Sequence, residues 1–131
     1  MISADEFRRA LGHFATGVTV VSTYDGDGRP TGFTASAFAS VSLDPPLVLV
    51  CVDHKSQSHP ALLERGRFAV NVLRADQETV SRRFATTRLD KFDGVPHRLS
   101  PLGLPLLDDA LARLECVTVS THVEGDHTIL V

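Results

Sequence analysis

Hydrophobic residues recur along the chain in short runs whose composition is typical of β-strands. The clearest run, residues 47–52, is unbroken and rich in valine, which predicts a strand buried on both faces. Other runs are rich in β-branched and aromatic residues and are bounded by turn residues. The predicted strands are residues 18–24, 29–35, 47–52, 67–73, 111–123 and 127–131.

Three segments have helical periodicity instead. Ser3 and Glu6 have the spacing of a capping box, and the apolar residues after them recur at helical intervals. Gly66 is expected to end the second helix, and Asp76 to cap the third. The predicted helices are residues 4–14, 58–66 and 76–85. Together with turn residues between neighbouring strands, the pattern predicts a mainly β fold: a small antiparallel barrel with short capping helices.

Composition narrows the class of protein. The chain has 131 residues, of which 43% are hydrophobic and 22% charged, as expected for one globular domain over residues 1–131. The net charge of −3 argues against nucleic acid or an acidic membrane surface as a partner. No apolar run reaches the ~20 residues of a membrane span, and the N-terminal residues lack the regions of a signal peptide. Cys51 and Cys116 lie in apolar runs and are expected to be free thiols, so we expect a cytoplasmic protein.

Residues 53–58 (DHKSQS) directly follow the predicted buried strand, where ligand groups are often positioned. Lys55, with Ser56, Ser58 and turn amides, offers one cation and several directed donors, which suits a phosphate. The same residues also fit a solvated turn in which a serine caps the next helix. Spacing alone leaves both interpretations open.

A local basic patch surrounds Phe84 and could meet the phosphates of a nucleotide, although a solvated helix face has the same composition. It contains Arg82, Arg83, Arg88 and Lys91. The six histidines lack the spacing of a metal site, so no metal is expected. His127 is the exception of interest, because it lies where a hairpin turn meets a strand. It could be a hydrogen-bonding group at a pocket mouth or a surface histidine.

Seven fragments, in order along nearly the whole chain, resemble the flavin reductase-like family, the small FMN-binding split-barrel reductases of two-component flavin monooxygenases. Each fragment is weak by itself, whereas seven in order are specific. They are residues 14–21 (FATGVTVV), 32–38 (GFTASAF), 40–47 (SVSLDPPL), 68–73 (FAVNVL), 81–85 (SRRFA), 91–94 (KFDG) and 125–127 (GDH).

The resemblance implies a six-stranded antiparallel split β-barrel that forms a homodimer and binds FMN or FAD near the subunit interface. It implies reduction of the flavin by NADH or NADPH and delivery of reduced flavin to a partner monooxygenase. His127 would lie near the nicotinamide as the catalytic residue. By the same likeness, the flavin ring, ribityl chain and phosphate would contact Thr34, Ala35, Ser36, Ala37, Val52, Asp53, Lys55, Ser56, Ser58, Phe84 and Ala85.

Family members usually continue past the strand that follows the G-D-H motif, so we expect this chain to lack their C-terminal strand and tail. The strongly strand-like residues 128–131 (TILV) would expose an edge, and two explanations stay open: a partner subunit covers this edge, or the chain is shortened relative to its relatives. Two alternatives to a flavin reductase stay open. One is a non-catalytic split barrel that binds flavin or heme, and the other is a truncated, inactive homologue.

Overall fold

A computed structural model describes residues 1–131, with three short helices and ten strands. The helices are α1 (Ala4–Leu11), α2 (His59–Arg65) and α3 (Glu78–Phe84). The strands are β1 (Thr19–Tyr24), β2 (Pro30–Ala35), β3 (Phe38–Leu43), β4 (Pro46–Asp53), β5 (Arg67–Val72), β6 (His97–Leu99), β7 (Pro105–Leu107), β8 (Ala112–Val117), β9 (Thr121–Glu124) and β10 (His127–Leu130). No helix is both long and apolar enough to cross a membrane.

The strands form two open four-stranded antiparallel sheets and one hairpin. The first sheet has the order β2-β1-β5-β8, the second β3-β4-β10-β9, and β6 pairs with β7. One hydrophobic core joins the two large sheets, because Val21 and Val70 of the first pack with Val50, Val52 and Leu130 of the second. The fold is therefore mainly β as predicted, with the strands arranged in separate open sheets.

A second cluster fixes the C-terminal end of α3 beside the first sheet. The ring of Phe84 is fully buried against Val20, Phe92 and Leu107. The close approach requires glycine at position 32, because a Cβ there would lie 2.8 Å from the Val21 carbonyl oxygen and 3.4 Å from the Phe84 ring. The end of α3 is thus held against β2, and a groove opens beside it.

Several predicted element boundaries are confirmed and others are wrong. The capping box of α1 is present, with the Glu6 amide donating to Ser3 Oγ and the Ser3 amide to Glu6 Oε2. The N-cap of α3 is Gln77, not Asp76, and its side chain makes no capping hydrogen bond. Residues 111–123 form two strands, β8 and β9, because the chain leaves the first sheet at 118–120 and enters the second. Three strands were not predicted: β3, which is rich in serine and alanine, and the short β6 and β7.

The prediction that residues 47–52 are buried on both faces is wrong for a single chain. Val50 and Val52 point into the core and are fully buried, whereas Leu47, Leu49 and Cys51 are partly exposed. The outer face of the second sheet is therefore apolar and only partly covered.

Helix α1 has an uncovered apolar face as well. None of its residues is buried, and Phe7, Leu11 and Phe14 are 54%, 51% and 74% exposed. Hydrophobic surface of this extent is typical of an interaction site.

Candidate functional site

A groove of about 370 Å³ opens to solvent between β2, the turn after β4 and the end of α3. Eleven residues from these three parts of the chain line it: Phe33, Thr34, Asp53, Lys55, Ser56, Gln57, Phe84, Ala85, Thr86, Thr87 and Lys91. Six of the twelve residues that the sequence singled out are among them. The structure therefore brings together groups that are up to 51 positions apart in sequence, from Thr34 to Ala85.

The turn after β4 holds Lys55 and Ser56 at one end of the groove. The Asp53 carboxylate accepts a hydrogen bond from the Lys55 amide at 2.8 Å, and its carbonyl oxygen accepts from the Ser56 amide at 2.9 Å. The ammonium group of Lys55 is exposed and takes part in none of the salt bridges of the chain. A cation without a carboxylate partner, next to a hydroxyl, fits an anionic ligand.

A second cation, Lys91, lies in the wall of the groove. The residue is only 8% exposed, and its Nζ donates to the carbonyl oxygens of Gly32 at 3.0 Å and Phe84 at 3.3 Å. Burial lowers the pKa of this lysine, because desolvation disfavours the charged form. This one side chain therefore connects β2 to the end of α3, the two elements that flank this part of the groove.

Ala35, Ser36 and Ala37, which follow the groove residue Thr34 in the chain, do not line the groove. Thr34 is fixed by a hydrogen bond from its hydroxyl to the Ser81 carbonyl oxygen at 2.6 Å, and Ala35 is buried. Ser36 and Ala37 are exposed, and neither of their amides donates a hydrogen bond within the chain. These two amides are available as donors to the polar edge of a flat ligand.

Three of the other predicted contact residues have buried side chains. Val52 belongs to the core between the sheets, and Phe84 to the cluster under α3, so its ring offers no face to a ligand. Ser58 is 1% exposed, and its hydroxyl pairs with that of Thr31 at 2.7 Å. Any contact of these residues with a ligand in the groove would have to involve backbone atoms. Ala85, directly after Phe84, is exposed at the groove wall.

His127 does not line the groove but lies beside it. It is the first residue of β10 and pairs with Asp53 at the end of β4. Because paired residues of antiparallel strands project from the same face, the His127 side chain is on the face of the groove-lining Asp53. Its Nδ1 is 2.7 Å from Asp126 Oδ1, and this hydrogen bond, with the charge of His127, lowers the pKa of Asp126. A donor bond to Asp126 would leave Nε2 as the free acceptor.

The predicted basic patch around Phe84 is not a common surface. Arg82 pairs with Glu78, and Arg88 with Asp90 at 2.8 Å. Arg83 donates to the carbonyl oxygens of Asp90, Lys91 and Asp93, which holds that loop against α3. Only Lys91 reaches the groove. No group of three or more His, Cys, Asp or Glu side chains is placed to hold a metal ion.

Several groove residues were not identified as ligand contacts from the sequence. Gln57, Thr86 and Thr87 are polar residues in connecting segments. Phe33 lies in β2, and the sequence does not indicate which face of the sheet its side chain is on. Their types carry no distinctive spacing. The G-F-T fragment, which contains Phe33, was the only signal that could have found one of them.

Comparison with known proteins identifies the family to which this chain belongs. The chain matches the family described as "Flavin reductase like domain" over residues 11–131. It therefore belongs to the flavin reductase-like family, as the resemblance of the fragments predicts.

Among its relatives is the HsaB reductase subunit of a flavin-dependent monooxygenase from Rhodococcus jostii. The two are 44% identical over 128 residues, covering 98% of this chain and 65% of the relative. The FMN reductase (NADH) SmoA of Agrobacterium fabrum is 48% identical over 125 residues, covering 95% of this chain and 71% of SmoA. Four curated relatives are considerably longer, and this chain spans 40% to 66% of their length.

A solved structure shares the fold closely. The solved structure of a Streptomyces globisporus NADH:FAD oxidoreductase, in complex with NAD and FAD fragments, superposes with a TM-score of 0.90. It is 42% identical, and the match covers 99% of this chain and 80% of the solved chain.

Proposed function

We propose that this protein is an NADH- or NADPH-dependent flavin reductase that binds FMN or FAD in the groove and supplies reduced flavin to a partner monooxygenase. The observation that carries the proposal is the arrangement of donors. Two lysines without carboxylate partners lie in the groove, and two free backbone amides lie in the loop that continues from it. A flavin-binding site needs a cation for the phosphate of the flavin and hydrogen-bond donors for the polar edge of the flavin ring.

The chain's own residues would divide the binding as follows. Lys55 and Ser56 would hold the phosphate together with Lys91, while the amides of Ser36 and Ala37 would donate to the ring. Val52, Ser58 and Phe84 would contribute backbone contacts or hold the walls in place, and Thr34, Ala35, Asp53 and Ala85 would lie along the bound molecule. The open groove suits a flavin that is released after each turnover.

Flavin supplies the electron-accepting chemistry when it is bound, so the protein need only align the two ring systems. His127 would orient the nicotinamide or its amide through the free Nε2 that the bond to Asp126 leaves. No proton transfer by a strong acid or base is needed, and none of the groove residues forms a carboxylate pair or triad.

The assembled protein would be a homodimer whose sheets close into the six-stranded split barrel. The uncovered apolar faces of α1 and of the second sheet support this proposal, because a second copy could bury both. The relative HsaB, a monooxygenase reductase subunit, supports a monooxygenase as partner. Both cysteines are free thiols, which agrees with the reducing cytoplasm as the site of action.

The test is an anaerobic mixture of the purified protein with FMN or FAD and either NADH or NADPH. We expect catalytic bleaching of the flavin's visible band with at least one pair. His127→Ala should raise the KM for the pyridine nucleotide or lower kcat, with flavin affinity unchanged. Exposed His13→Ala, which lies far along the chain from the groove, serves as the matched control.

Flavin binding without bleaching would indicate a non-catalytic flavin carrier instead. Failure to bind either flavin would contradict the proposal altogether. A His127→Ala variant with unchanged KM and kcat would remove the histidine from the mechanism while leaving the reductase activity intact.

A further inference from the structure

The hydroxyl group of Thr128 lies between two imidazole rings behind the groove. Thr128 is only 2% exposed, and its Oγ1 is 3.0 Å from His54 Nε2 and 3.0 Å from His59 Nε2. The two rings meet edge to face, with centroids 5.2 Å apart. None of these three side chains lines the groove, and the reaction proposed above does not use them.

The arrangement restricts the tautomers of the two histidines. A hydroxyl group has one hydrogen to donate and two lone pairs with which to accept. Thr128 therefore cannot donate to both rings, and at least one Nε2 carries a hydrogen and donates to the hydroxyl oxygen. A single hydroxyl thus serves as the partner of two imidazoles.

The two histidines flank the part of the chain that brings Lys55 and Ser56 into the groove. His54 precedes residues 55–58 and His59 follows them, so one side chain of β10 holds both ends of this short segment. The His54 amide adds a bond to the Asp126 carbonyl oxygen at 2.9 Å. On the other side, Ser58 is tied to Thr31 of β2.

We propose that Thr128 is a positioning residue for phosphate binding, which acts through His54 and His59 on residues 55–58. Thr128 does not contact the ligand. It determines the positions of the Lys55 ammonium and the Ser56 hydroxyl by holding the two histidines that flank them. The inference rests on the flavin site proposed above and names the part of that site on which the hydroxyl acts. Affinity for FMN should therefore depend on Thr128, whereas affinity for riboflavin, which has no phosphate, should depend on it far less.

The test compares FMN and riboflavin affinities of Thr128→Val and Thr128→Ser by fluorescence titration. Valine keeps the shape of threonine but removes the hydroxyl. We expect Thr128→Val to weaken FMN binding about tenfold, the effect of roughly one lost positioning hydrogen bond, with riboflavin binding nearly unchanged. Thr128→Ser, which keeps the hydroxyl group, should bind FMN with nearly the affinity of the wild type. The matched control is Thr23→Val, which removes a buried hydroxyl bonded to the Arg67 carbonyl oxygen in the other sheet.

A second measurement needs no flavin. Amide hydrogen exchange at Lys55 and Ser56, in the flavin-free protein, should be faster in Thr128→Val than in the wild type and in Thr128→Ser. This readout remains informative if the variant loses some stability, because exchange in β1 and β5 reports global unfolding separately.

Equal losses of FMN and riboflavin affinity would overturn the inference and show a merely structural role. Unchanged FMN affinity in Thr128→Val, or the same selective loss in Thr23→Val, would overturn it as well. Wild-type protein that reduces both flavins but does not prefer FMN would refute the phosphate inference and leave the reductase proposal standing. Wild-type protein that binds neither flavin would refute both.

Discussion

At the scale of single residues, Lys91 is the one charged side chain that is buried. Its ammonium group has three hydrogens, and two of them are used by the carbonyl oxygens of Gly32 and Phe84. No carboxylate pairs with it, although a buried charge without a counter-ion is costly. An anion bound in the groove would supply the missing partner, so Lys91 would link the geometry of the groove to the phosphate binding that we propose.

Lys91→Met should therefore weaken FMN binding about tenfold or more, a loss typical of a charge-assisted contact, and affect riboflavin less. Because burial lowers the pKa of Lys91, its charge is lost at a lower pH than that of an ordinary lysine. Wild-type FMN affinity should thus fall as the pH rises through the pKa of Lys91, whereas Lys91→Met should lack this part of the fall.

The control is Arg82→Met, an exposed cation on α3 that pairs with Glu78 outside the groove. Titrations of FMN and riboflavin across neutral and alkaline pH give the measurement. Equal FMN affinities for Lys91→Met and Arg82→Met would show that the buried ammonium does not act on the phosphate.

At the scale of elements, a buried polar network attaches β7 to the first sheet. Asn71 of β5 is fully buried; its Nδ2 donates to the Val20 carbonyl oxygen and to Ser22 Oγ, both at 2.9 Å. Its Oδ1 accepts from the Leu107 amide at 3.0 Å, and Ser22 Oγ donates to the Pro105 carbonyl oxygen at 2.7 Å. The short hairpin of β6 and β7 is therefore held by side chains of β1 and β5.

Asn71→Ala should lower the free energy of unfolding by about 2–4 kcal/mol, because it leaves a buried amide of β7 unpaired and opens a small cavity. Ser22→Ala should cost less, since Asn71 keeps its bonds to Val20 and Leu107. Urea denaturation followed by circular dichroism measures both. A loss below about 0.5 kcal/mol for Asn71→Ala, the range of ordinary surface substitutions, would show that the network contributes little.

At the scale of the whole molecule, the single chain leaves much apolar surface uncovered. The large side chains of Phe7, Leu11 and Phe14 are more than half exposed, and Leu43 at the end of β3 is 96% exposed. The outer face of the second sheet adds Leu49, Cys51 and Ile129, each partly exposed. An interface between two copies would bury such surface, which is why we propose a homodimer.

Light scattering after size-exclusion chromatography should accordingly show a dimer of the 14.2 kDa chain. Phe14→Asp combined with Leu11→Asp should shift the protein toward monomer, because each places a charge in a desolvated interface. Leu89→Asp is the matched control, since Leu89 is 84% exposed and lies in the irregular connection after α3. A wild-type monomer, or dissociation of the Leu89→Asp variant alone, would contradict the proposal.

Local pattern was sufficient for much of the secondary structure. The capping box of α1, the glycine that ends α2 in a left-handed conformation, and the apolar strands β1, β4 and β5 all follow from short-range rules. The prediction missed β3 because its serines and alanines lack strand composition; pairing with β4 makes it a strand. Likewise, three-residue strands such as β6 and β7 have too few residues for a period to be recognised.

The candidate site could be predicted only in part. The family resemblance implied that Lys55, Ser56 and Thr34 contact a flavin, and the structure brings these three residues into one groove. They did not indicate that Ser58 and Phe84 turn their side chains into the protein, since the facing of a residue at a helix end depends on what packs against it. The predicted basic patch does not form a common surface for a similar reason. Each of its arginines has an ion-pair or hydrogen-bond partner nearby, and only Lys91 lines the groove.

The sequence by itself determined the family, the mainly β class, the order of the strands along the chain and the residue types available for an anionic ligand, because these depend on composition, local periodicity and short motifs. Only the tertiary structure decided which residues meet. It placed Thr128 between His54 and His59, buried Lys91 against two carbonyl oxygens, and left one face of β4 uncovered. The contacts of Thr128 with the two histidines, and of Lys91 with Gly32, join residues 59 to 74 positions apart, and local sequence rules carry no information over that distance.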